Sequence, residues 1–467
     1  MHRTPHSTPN ILLITADQLR YDCVGASARY PVRTPHIDRL ADEGMWFTDA
    51  FTHIPLCCPA RQSLINGRRP ESFGALWNFN IALRIPALSP DEYAWPRELA
   101  KRGYRSAFVG KWGVHPEHTP MSYGYERYIG EKDYARFVKE RYPDVRYTNG
   151  FFGETNPVPV HDARTHWLAR QAIDMMREFS GQRAPWHIAL HFPEPHPPCR
   201  PSGAFAGMYD PASVPEWDSF RETFRDKPYI QRQQLYNWKI QDFTWQDWAP
   251  VVARYYGMIS QIDDAIGLVL EALEQCGAAD HTIVVLTADH GDLCGGHRMM
   301  DKHYVMYDDV VKVPLVVRWP GVVAAGQRCD RFVHPLLDIP PTILEVLGLD
   351  VPEFFHGRSL MPLWRGEEAS EWRQAAVATY NGQQFGLYTQ RMIRTREWKY
   401  VWNTTDVDEL YNLREDPAEL NNRIRDPQCK DVLKALRAEL YEQLARDGDG
   451  LVLNEWMRDQ LLLGLKI

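Results

Sequence analysis

Short runs of aliphatic residues alternate with longer segments of helical periodicity along most of this 467-residue chain. This alternation is typical of a mostly parallel β-sheet with helices on both faces, because each parallel strand needs a crossover connection. One helical pattern covers residues 252–273 and stops near Gly277. The clearest strand candidates are residues 11–15, 106–109, 187–191 and 282–286. The sequence therefore predicts a large α/β domain.

The pattern changes after residue 366. Two strand-like runs, residues 375–380 and 392–402, are typical of a small antiparallel sheet. An amphipathic helical pattern follows over residues 431–446. We therefore predict a catalytic α/β domain over residues 1–370 and a C-terminal α+β subdomain over residues 371–467.

Composition excludes several classes of protein. Hydrophobic residues make up 44% and charged residues 24% of the chain, which are ordinary globular values. The net charge of −8 argues against a nucleic-acid-binding surface, although a local basic cluster could still bind a small anion. No apolar run approaches the ~18 residues of a membrane span, and the N-terminal residues are too polar for a secretory leader. We expect a cytoplasmic protein without nucleic-acid or membrane partners, and the sequence does not indicate its oligomeric state.

Polar residues follow each of the four strand candidates. They are Asp17 with Gln18, then Lys111, then His196, and finally Asp289 with His290. Ligands of open α/β sheets bind beyond the carboxyl ends of the strands, so we expect these side chains to form one site. The oxygens of Asp17, Gln18 and Asp289 suit Ca²⁺ or Mg²⁺, whereas the nitrogen of His290 also suits Mn²⁺. Asp289 alone could instead be a helix cap.

The most specific motif is Cys57-Cys58-Pro59-Ala60-Arg61. Pro59 suits the first turn of a helix, and a glycine at position 67 suits its end. The two cysteines would then lie at the positive end of the helix dipole, where an anion can bind and a thiol becomes a nucleophile. Arg61, one turn later, would neutralise an anion or hold the nucleophile. The alternative is a pair of buried thiols at a helix start.

Cys-x-Pro-x-Arg resembles the signature of the type I sulfatases of the alkaline-phosphatase-like superfamily, in which the cysteine is oxidised to formylglycine. The register selects Cys57, because Pro59 and Arg61 stand two and four residues after it. The family usually has serine where this chain has Ala60, and the related phosphonate monoester hydrolases share the departure. The resemblance extends over most of the chain, as far as Glu409-Leu410-Tyr411 in the C-terminal part.

The resemblance implies a metal site formed by Asp17, Gln18, Cys57, Asp289 and His290. The cation would be Ca²⁺, with Mn²⁺ and Mg²⁺ as alternatives. Many family members have aspartate at the position of Gln18, and some have asparagine at that of His290. The resemblance also implies that a formylglycine-generating enzyme acts on Cys57 during maturation.

Further catalytic residues are implied in the same way. Lys111 matches the lysine of a Gly-Lys-Trp motif that contacts the sulfate, and His196 matches the histidine that faces the leaving oxygen. The histidine expected two residues after the lysine is absent here, and we predict that His115 replaces it. Counting back from Tyr307 places the family's catalytic lysine at His303, with Lys302 one residue earlier. We predict both, with a preference for Lys302 because its longer side chain can reach the site.

The predicted reaction is the hydrolysis of a sulfate monoester, which the resemblance places on a small molecule or oligosaccharide. A formylglycine diol at position 57 would attack sulfur while His196 protonates the leaving alcohol. A base, His115, would then release the sulfate, and the metal with the cationic side chains would balance the charge. Two alternatives are a phosphonate monoester hydrolase or phosphodiesterase on the same scaffold, and a non-catalytic binding protein with unmodified Cys57.

Basic and aromatic residues cluster in the C-terminal part. They could hold a sulfated, acidic sugar, or they could pack on the face of a sheet. The residues are Arg391, Arg394, Arg396, Trp398, Tyr400 and Trp402.

The register argument predicts different outcomes for the two adjacent cysteines. Cys57→Ala should reduce turnover of a sulfate ester by on the order of 10³-fold or more with little loss of thermal stability, because the nucleophile is removed. Cys58→Ala should retain turnover. Rates and melting curves of both variants test this, and the reverse result would show that the register is wrong.

Overall fold

The structure is a computed structural model that describes residues 8–79, 85–383 and 386–466. Its β-strands, in chain order, are β1 (Asn10–Asp17), β2 (Met45–Phe47), β3 (Arg105–Gly110), β4 (Arg127–Gly130), β5 (Trp186–Pro195), β6 (Thr282–Ala288), β7 (Leu315–Arg318), β8 (Gln327–Cys329), β9 (Ala376–Gly382), β10 (Leu387–Arg394), β11 (Trp398–Asn403) and β12 (Glu409–Asn412). Its α-helices are α1 (Pro35–Asp42), α2 (Cys57–Asn66), α3 (Pro96–Lys101), α4 (Glu131–Arg141), α5 (Arg164–Ser180), α6 (Tyr229–Trp238), α7 (Trp245–Gln275), α8 (Asp308–Val311), α9 (Pro335–Val346), α10 (Met361–Trp364), α11 (Lys430–Arg446), α12 (Gly450–Leu453) and α13 (Glu455–Leu463).

The central sheet has eight strands in the order β4-β3-β5-β1-β6-β7-β2-β8. Strand β7 is antiparallel to β6 and β2, and the other neighbouring pairs are parallel. The prediction of a mostly parallel sheet is therefore confirmed. The four strands that the sequence indicated are β3, β5, β1 and β6, which are consecutive neighbours in the sheet. Their carboxyl ends consequently lie side by side.

Helices cover the sheet through apolar contacts. Helices α5 and α7 pack on each other and on β5, and α1 packs on α7, whereas α2 packs on α9. Helix α7 begins seven residues earlier than its periodicity predicted, because Thr244 and Asp247 form a capping box before the apolar pattern starts. Among the described residues, no helix is both long and apolar enough to cross a membrane.

The C-terminal part contains the predicted antiparallel sheet, in the order β12-β11-β10-β9. The single strand predicted over residues 392–402 is wrong, because the chain turns there and forms β10 and β11. In that turn the backbone N–H of Thr395 donates to the carbonyl of Trp398, and the Thr395 hydroxyl accepts from the N–H of Trp398. The division of the chain near residue 370 stays a prediction.

The two faces of this sheet bury different side chains. One face, with Ile393 and Trp402, packs against α11, whereas Met392 and Tyr411 on the other face belong to the large core. Arg391 is buried and pairs with Asp449 at its Nε atom. The structure therefore favours the packing interpretation of the basic and aromatic cluster over sugar binding.

Helix α2 begins at Cys57 and ends before Gly67, as predicted. Gly67 has a φ of 72°, and its N–H donates to the Ser63 carbonyl over 2.8 Å. A Cβ atom at this position would lie 2.5 Å from the ring of Phe355. The glycine is therefore required both by its left-handed backbone and by the close approach of an aromatic ring.

Gly67→Ala should lower the free energy of unfolding by ~1–2 kcal/mol from the left-handed backbone and by a further ~1–3 kcal/mol from the overlap with Phe355. Gly103→Ala is the matched control, since Gly103 has a φ of 77° and no atom within 4 Å of an added Cβ. Urea unfolding of both variants measures the difference. Equal losses would show that the Phe355 contact contributes nothing.

Candidate active site

Four side chains of different strands and loops meet at the start of α2. Asp17 ends β1, Asp289 and His290 follow β6, and Cys57 is the first residue of α2. Their ligand atoms all lie within 4.8 Å of one another, and all four residues are buried. The Cys57 Sγ atom lies 3.2 Å from His290 Nε2 and 3.6 Å from Asp17 Oδ1. We call these four residues the buried cluster.

The buried cluster is held by backbone groups as well as by side chains. The N–H groups of Gln18 and His290 both donate to Asp289 Oδ1 over 3.0 Å. His290 Nδ1 lies 2.9 Å from the Gly291 carbonyl oxygen, which accepts only from a protonated nitrogen. Nε2 is therefore the ring atom of His290 that faces Cys57 and the carboxylates, and it carries the lone pair when the ring is neutral.

Arg61 joins the two carboxylates of the buried cluster. Its side chain is 1% exposed, and its guanidinium lies 3.0 Å from Asp289 Oδ2 and 3.4 Å from Asp17 Oδ2. It also donates to the Lys111 carbonyl and lies 3.1 Å from His191 Nδ1. Because two buried carboxylates repel each other, this shared cation offsets the repulsion between them.

Lys111 forms an ion pair with Asp17. Burial raises the pKa of Asp17, but the charges of Lys111 and Arg61 lower it more, so its pKa lies well below the ordinary value. Asp17 is therefore a carboxylate at neutral pH. The Lys111 side chain is 19% exposed, so it also borders the solvent side of the site.

The two adjacent cysteines lie in different environments. Burial and Asp17 raise the pKa of the Cys57 thiol, but Lys111, Lys302 and His290 outweigh them and hold it well below its usual value. Burial raises the pKa of Cys58 to about 12. Only Cys57 combines membership of the buried cluster with an activated thiol.

The residues of the buried cluster fit a divalent cation. Two carboxylates and an imidazole lone pair converge with the side chain of residue 57, a donor set that suits hard or borderline cations. The Gln18 amide oxygen accepts from Lys302 Nζ over 2.7 Å, and its amide nitrogen donates to Asp292 and Asp301. The role of Gln18 as a ligand stays a prediction.

Lys302 and His196 lie together at the edge of the buried cluster. Lys302 Nζ is 3.0 Å from His196 Nε2, and His196 Nδ1 lies 2.7 Å from the Pro197 carbonyl oxygen. Burial lowers the pKa of Lys302, but Asp301, Cys57 and Asp17 raise it more, so the amine stays protonated. Lys302 is thus a donor to the Nε2 atom of His196.

The contacts of His303 and His115, the other two predicted catalytic residues, differ from those of Lys302 and His196. His303 lies 3.2 Å from an Asp301 oxygen and 3.0 Å from the Tyr380 hydroxyl, behind Lys302. His115 accepts from two backbone N–H groups of its own loop, and none of its hydrogen bonds within the described part of the chain reaches the buried cluster. A side chain at Gly113 would be strained, since its φ is 67° and its Cβ would lie 2.9 Å from Arg61 Cδ.

Sequence reasoning missed two residues of this region. The sequence indicates only that His191 belongs to a strand, whereas in the structure its ring contacts Arg61. Because every residue of that strand is buried, its sequence shows no alternation that would single out His191 as a site residue. Asn78 accepts from the N–H of Cys58 over 2.9 Å at the amino end of α2. Asn78 lies in a loop twenty residues after Cys58, so no local sequence pattern predicts this contact.

Comparisons with known proteins agree with this geometry. The profile of the Sulfatase family matches residues 9–349. The profile described as N-sulphoglucosamine sulphohydrolase, C-terminal, matches residues 295–446. The chain therefore belongs to the sulfatase family and is a sulfatase, a hydrolase of sulfuric esters, as its motifs predicted.

Relatives and a solved structure are similar over nearly the whole chain. An arylsulfatase of Clostridium perfringens is 28% identical and covers 95% of this chain and of itself. A Delta 4,5-hexuronate-2-O-sulfatase of Bacteroides thetaiotaomicron is 26% identical over 94% of this chain and 90% of its own. The phosphonate monoester hydrolase of Agrobacterium radiobacter is 27% identical, with a TM-score of 0.79 over 94% of this chain and 96% of its own.

The contacts of Lys302 and His303 predict unequal effects of their removal. Lys302→Gln should lower kcat for a sulfate ester by ~10²–10³-fold, because a donor beside His196 and the buried cluster is lost. His303→Gln should lower kcat less than ~10-fold, because its contacts are to Asp301 and Tyr380. Steady-state kinetics of both variants test this, and a larger loss in His303→Gln would reverse the assignment.

Proposed function

We propose that this sulfatase cleaves a sulfate monoester of a carbohydrate, with residue 57 oxidised to formylglycine and a divalent cation bound at the buried cluster. The observation that carries the proposal is the position of Cys57, at the amino end of α2 and between Asp17 and His290. Maturation would require a formylglycine-generating enzyme. A cytoplasmic location stays a prediction.

The cation would be held by Asp17, Asp289 and His290, with residue 57 and Gln18 as further ligands. Ca²⁺ is the first candidate because carboxylate and amide oxygens dominate this set, and His290 keeps Mn²⁺ and Mg²⁺ as alternatives. With both groups in place, residue 57 would supply a nucleophilic oxygen, and the bound cation would supply the positive charge that lowers the pKa of that oxygen and polarises the ester.

The cationic side chains orient the ester and offset its charge. Arg61 is fixed by Asp17 and Asp289, so it keeps the cation ligands at a constant separation. Lys111 is the charged group of this set that reaches the solvent side, and we propose that it contacts the sulfate oxygens. Fixed charges in a buried site stabilise the transition state because they need no reorganisation during the reaction.

His196 and Lys302 act on the leaving oxygen in this proposal. The Pro197 carbonyl oxygen accepts from Nδ1–H of His196, so Nε2 is the ring atom that exchanges a proton. Lys302 Nζ, 3.0 Å from that atom, supplies a proton or stabilises the leaving alkoxide directly. The base that releases the sulfate, predicted as His115, has no support from the contacts of its ring.

A carbohydrate substrate is supported by the relatives. One is named for the 2-O-sulfate of a hexuronate, and the C-terminal family profile is named for a sulphoglucosamine. The alternative of a phosphonate monoester substrate is supported by the Agrobacterium enzyme, which is 27% identical. Both reactions need the same buried cluster, so its residues do not distinguish the two substrates. Measured rates on sulfate and phosphonate esters are needed to distinguish them.

The experiment is a set of initial rates for the protein with residue 57 matured. Sulfated mono- and disaccharides, an aryl sulfate and phenyl phosphonate would be compared, and we expect kcat/KM to be highest for a saccharide sulfate, by ~10-fold or more over the phosphonate. Intact mass of the peptide that holds Cys57 should show a loss of about 18 Da relative to cysteine. A higher rate on the phosphonate, or full activity with an unmodified thiol, would contradict the proposal.

A further inference from the structure

A cavity separate from the buried cluster is lined by part of the segment that carries His196. It is a cavity of about 440 Å³, within the range of small-molecule sites. Its walls come from α4 and the loop that follows it, from the start of α5, and from residues 194–200. We call it the flanking cavity and define it by Tyr134, Arg146, Tyr147, Arg164, Glu194 and Arg200.

Positive charge dominates the lining of the flanking cavity. Arg164 is neutralised, since its Nε donates to Glu194 Oε1 over 2.6 Å. Arg146 donates to backbone carbonyls, and the Arg200 guanidinium lies 4.0 Å from the centre of the Tyr147 ring. Within the described ranges, neither Arg146 nor Arg200 has a carboxylate oxygen within 4.0 Å. Glu154 interacts electrostatically with Arg200 without forming an ion pair with it, so the lining keeps an excess of positive charge that favours an anionic ligand.

Two buried polar atoms of the flanking cavity also lack partners in the described part of the chain. Glu194 Oε2 accepts no hydrogen bond although the residue is only 7% exposed, and Arg200 Nε donates none. A buried polar atom without a partner is destabilising, so both atoms would gain from a ligand group that reaches them. A hydroxyl donor for Glu194 and an oxygen acceptor for Arg200 are both present on a sugar ring.

The flanking cavity is lined by residues of the same segment that carries His196, the residue proposed to face the leaving oxygen. Glu194 stands two residues before His196 and Arg200 four residues after it, which limits their Cα separations from His196 to about 8 and 15 Å. The aromatic ring of Tyr147, which lines the cavity and is 37% exposed, lies against Arg200 and adds apolar surface beside that cation. A sugar unit here would be next to the one that carries the ester.

We propose that the flanking cavity binds an anionic sugar unit, linked to the unit whose sulfate ester is cleaved. This rests on the proposed function and specifies its substrate as an oligosaccharide with a second negative group. The carboxylate or sulfate of that unit pairs with Arg200 and Arg146, and a ring hydroxyl donates to Glu194.

Binding is measured on the Cys57→Ala protein, so that no probe is consumed. The probes are three disaccharides with the same sulfated unit, whose neighbouring unit carries a carboxylate, a sulfate or no charge. We expect titration calorimetry to give a Kd at least ~10-fold lower for one or both charged probes than for the neutral one. Whichever charged probe binds more tightly identifies the anion.

Variants then locate the binding. Arg200→Ala should remove the ~10-fold preference, Arg200→Lys should retain part of it, and Arg146→Ala, an exposed change, should weaken it without affecting folding. Arg136→Ala is the matched control on α4, since Arg136 pairs with Asp133 outside the cavity. Three outcomes would overturn the proposal. They are an unchanged preference for the charged probes in both Arg200→Ala and Arg146→Ala, equal Kd values for all three probes, and no binding of any probe.

A separate measurement keeps this proposal distinct from the proposed function. An aryl sulfate has no second sugar unit, so its turnover by the matured wild-type protein tests ester hydrolysis alone. Turnover of the aryl sulfate without any preference among the disaccharides overturns the flanking-cavity proposal only. Absence of turnover on every sulfate ester overturns the proposed function, and the Kd comparison still decides the binding site.

Discussion

The site depends on one buried guanidinium. Arg61, on the second turn of α2, is bonded to the carboxylates that end β1 and follow β6, and it also contacts the ring of His191 on β5. Three adjacent strands and a helix are therefore tied together by one cation. Removing this charge would leave Asp289 without its arginine partner and Asp17 with Lys111 alone, and breaking a buried ion pair costs more free energy than the net value of the pair itself.

The C-terminal part of the chain supports the same site from outside. The Tyr380 hydroxyl of β9 contacts His303, and Lys399 of β11 pairs with Asp308 over 2.6 Å. These contacts hold the segment that carries Lys302 against Gln18 and His196. A small sheet far along the sequence thus orients a buried amine in the large domain.

Charge is distributed unevenly over the active-site region. At the buried cluster Arg61 and Lys111 pair with carboxylates, whereas Arg146 and Arg200 of the flanking cavity form no ion pair within the described residues. Specific recognition of an acidic substrate would therefore come from the neighbouring cavity, and the chemistry from the cluster.

The sequence by itself determined the strands β1, β3, β5 and β6, the start of α2 at Cys57 and its end at Gly67, because these follow from local periodicity and from proline and glycine preferences. Only the tertiary structure decided between Lys302 and His303 as the neighbour of His196, and it showed that the hydrogen bonds of His115 within the described residues stay in its own loop. It also brought His191 and Asn78 to the site and buried Arg391 and Trp402 in packing. Those outcomes depend on contacts between side chains that are far apart in the sequence, and local sequence patterns do not predict such contacts.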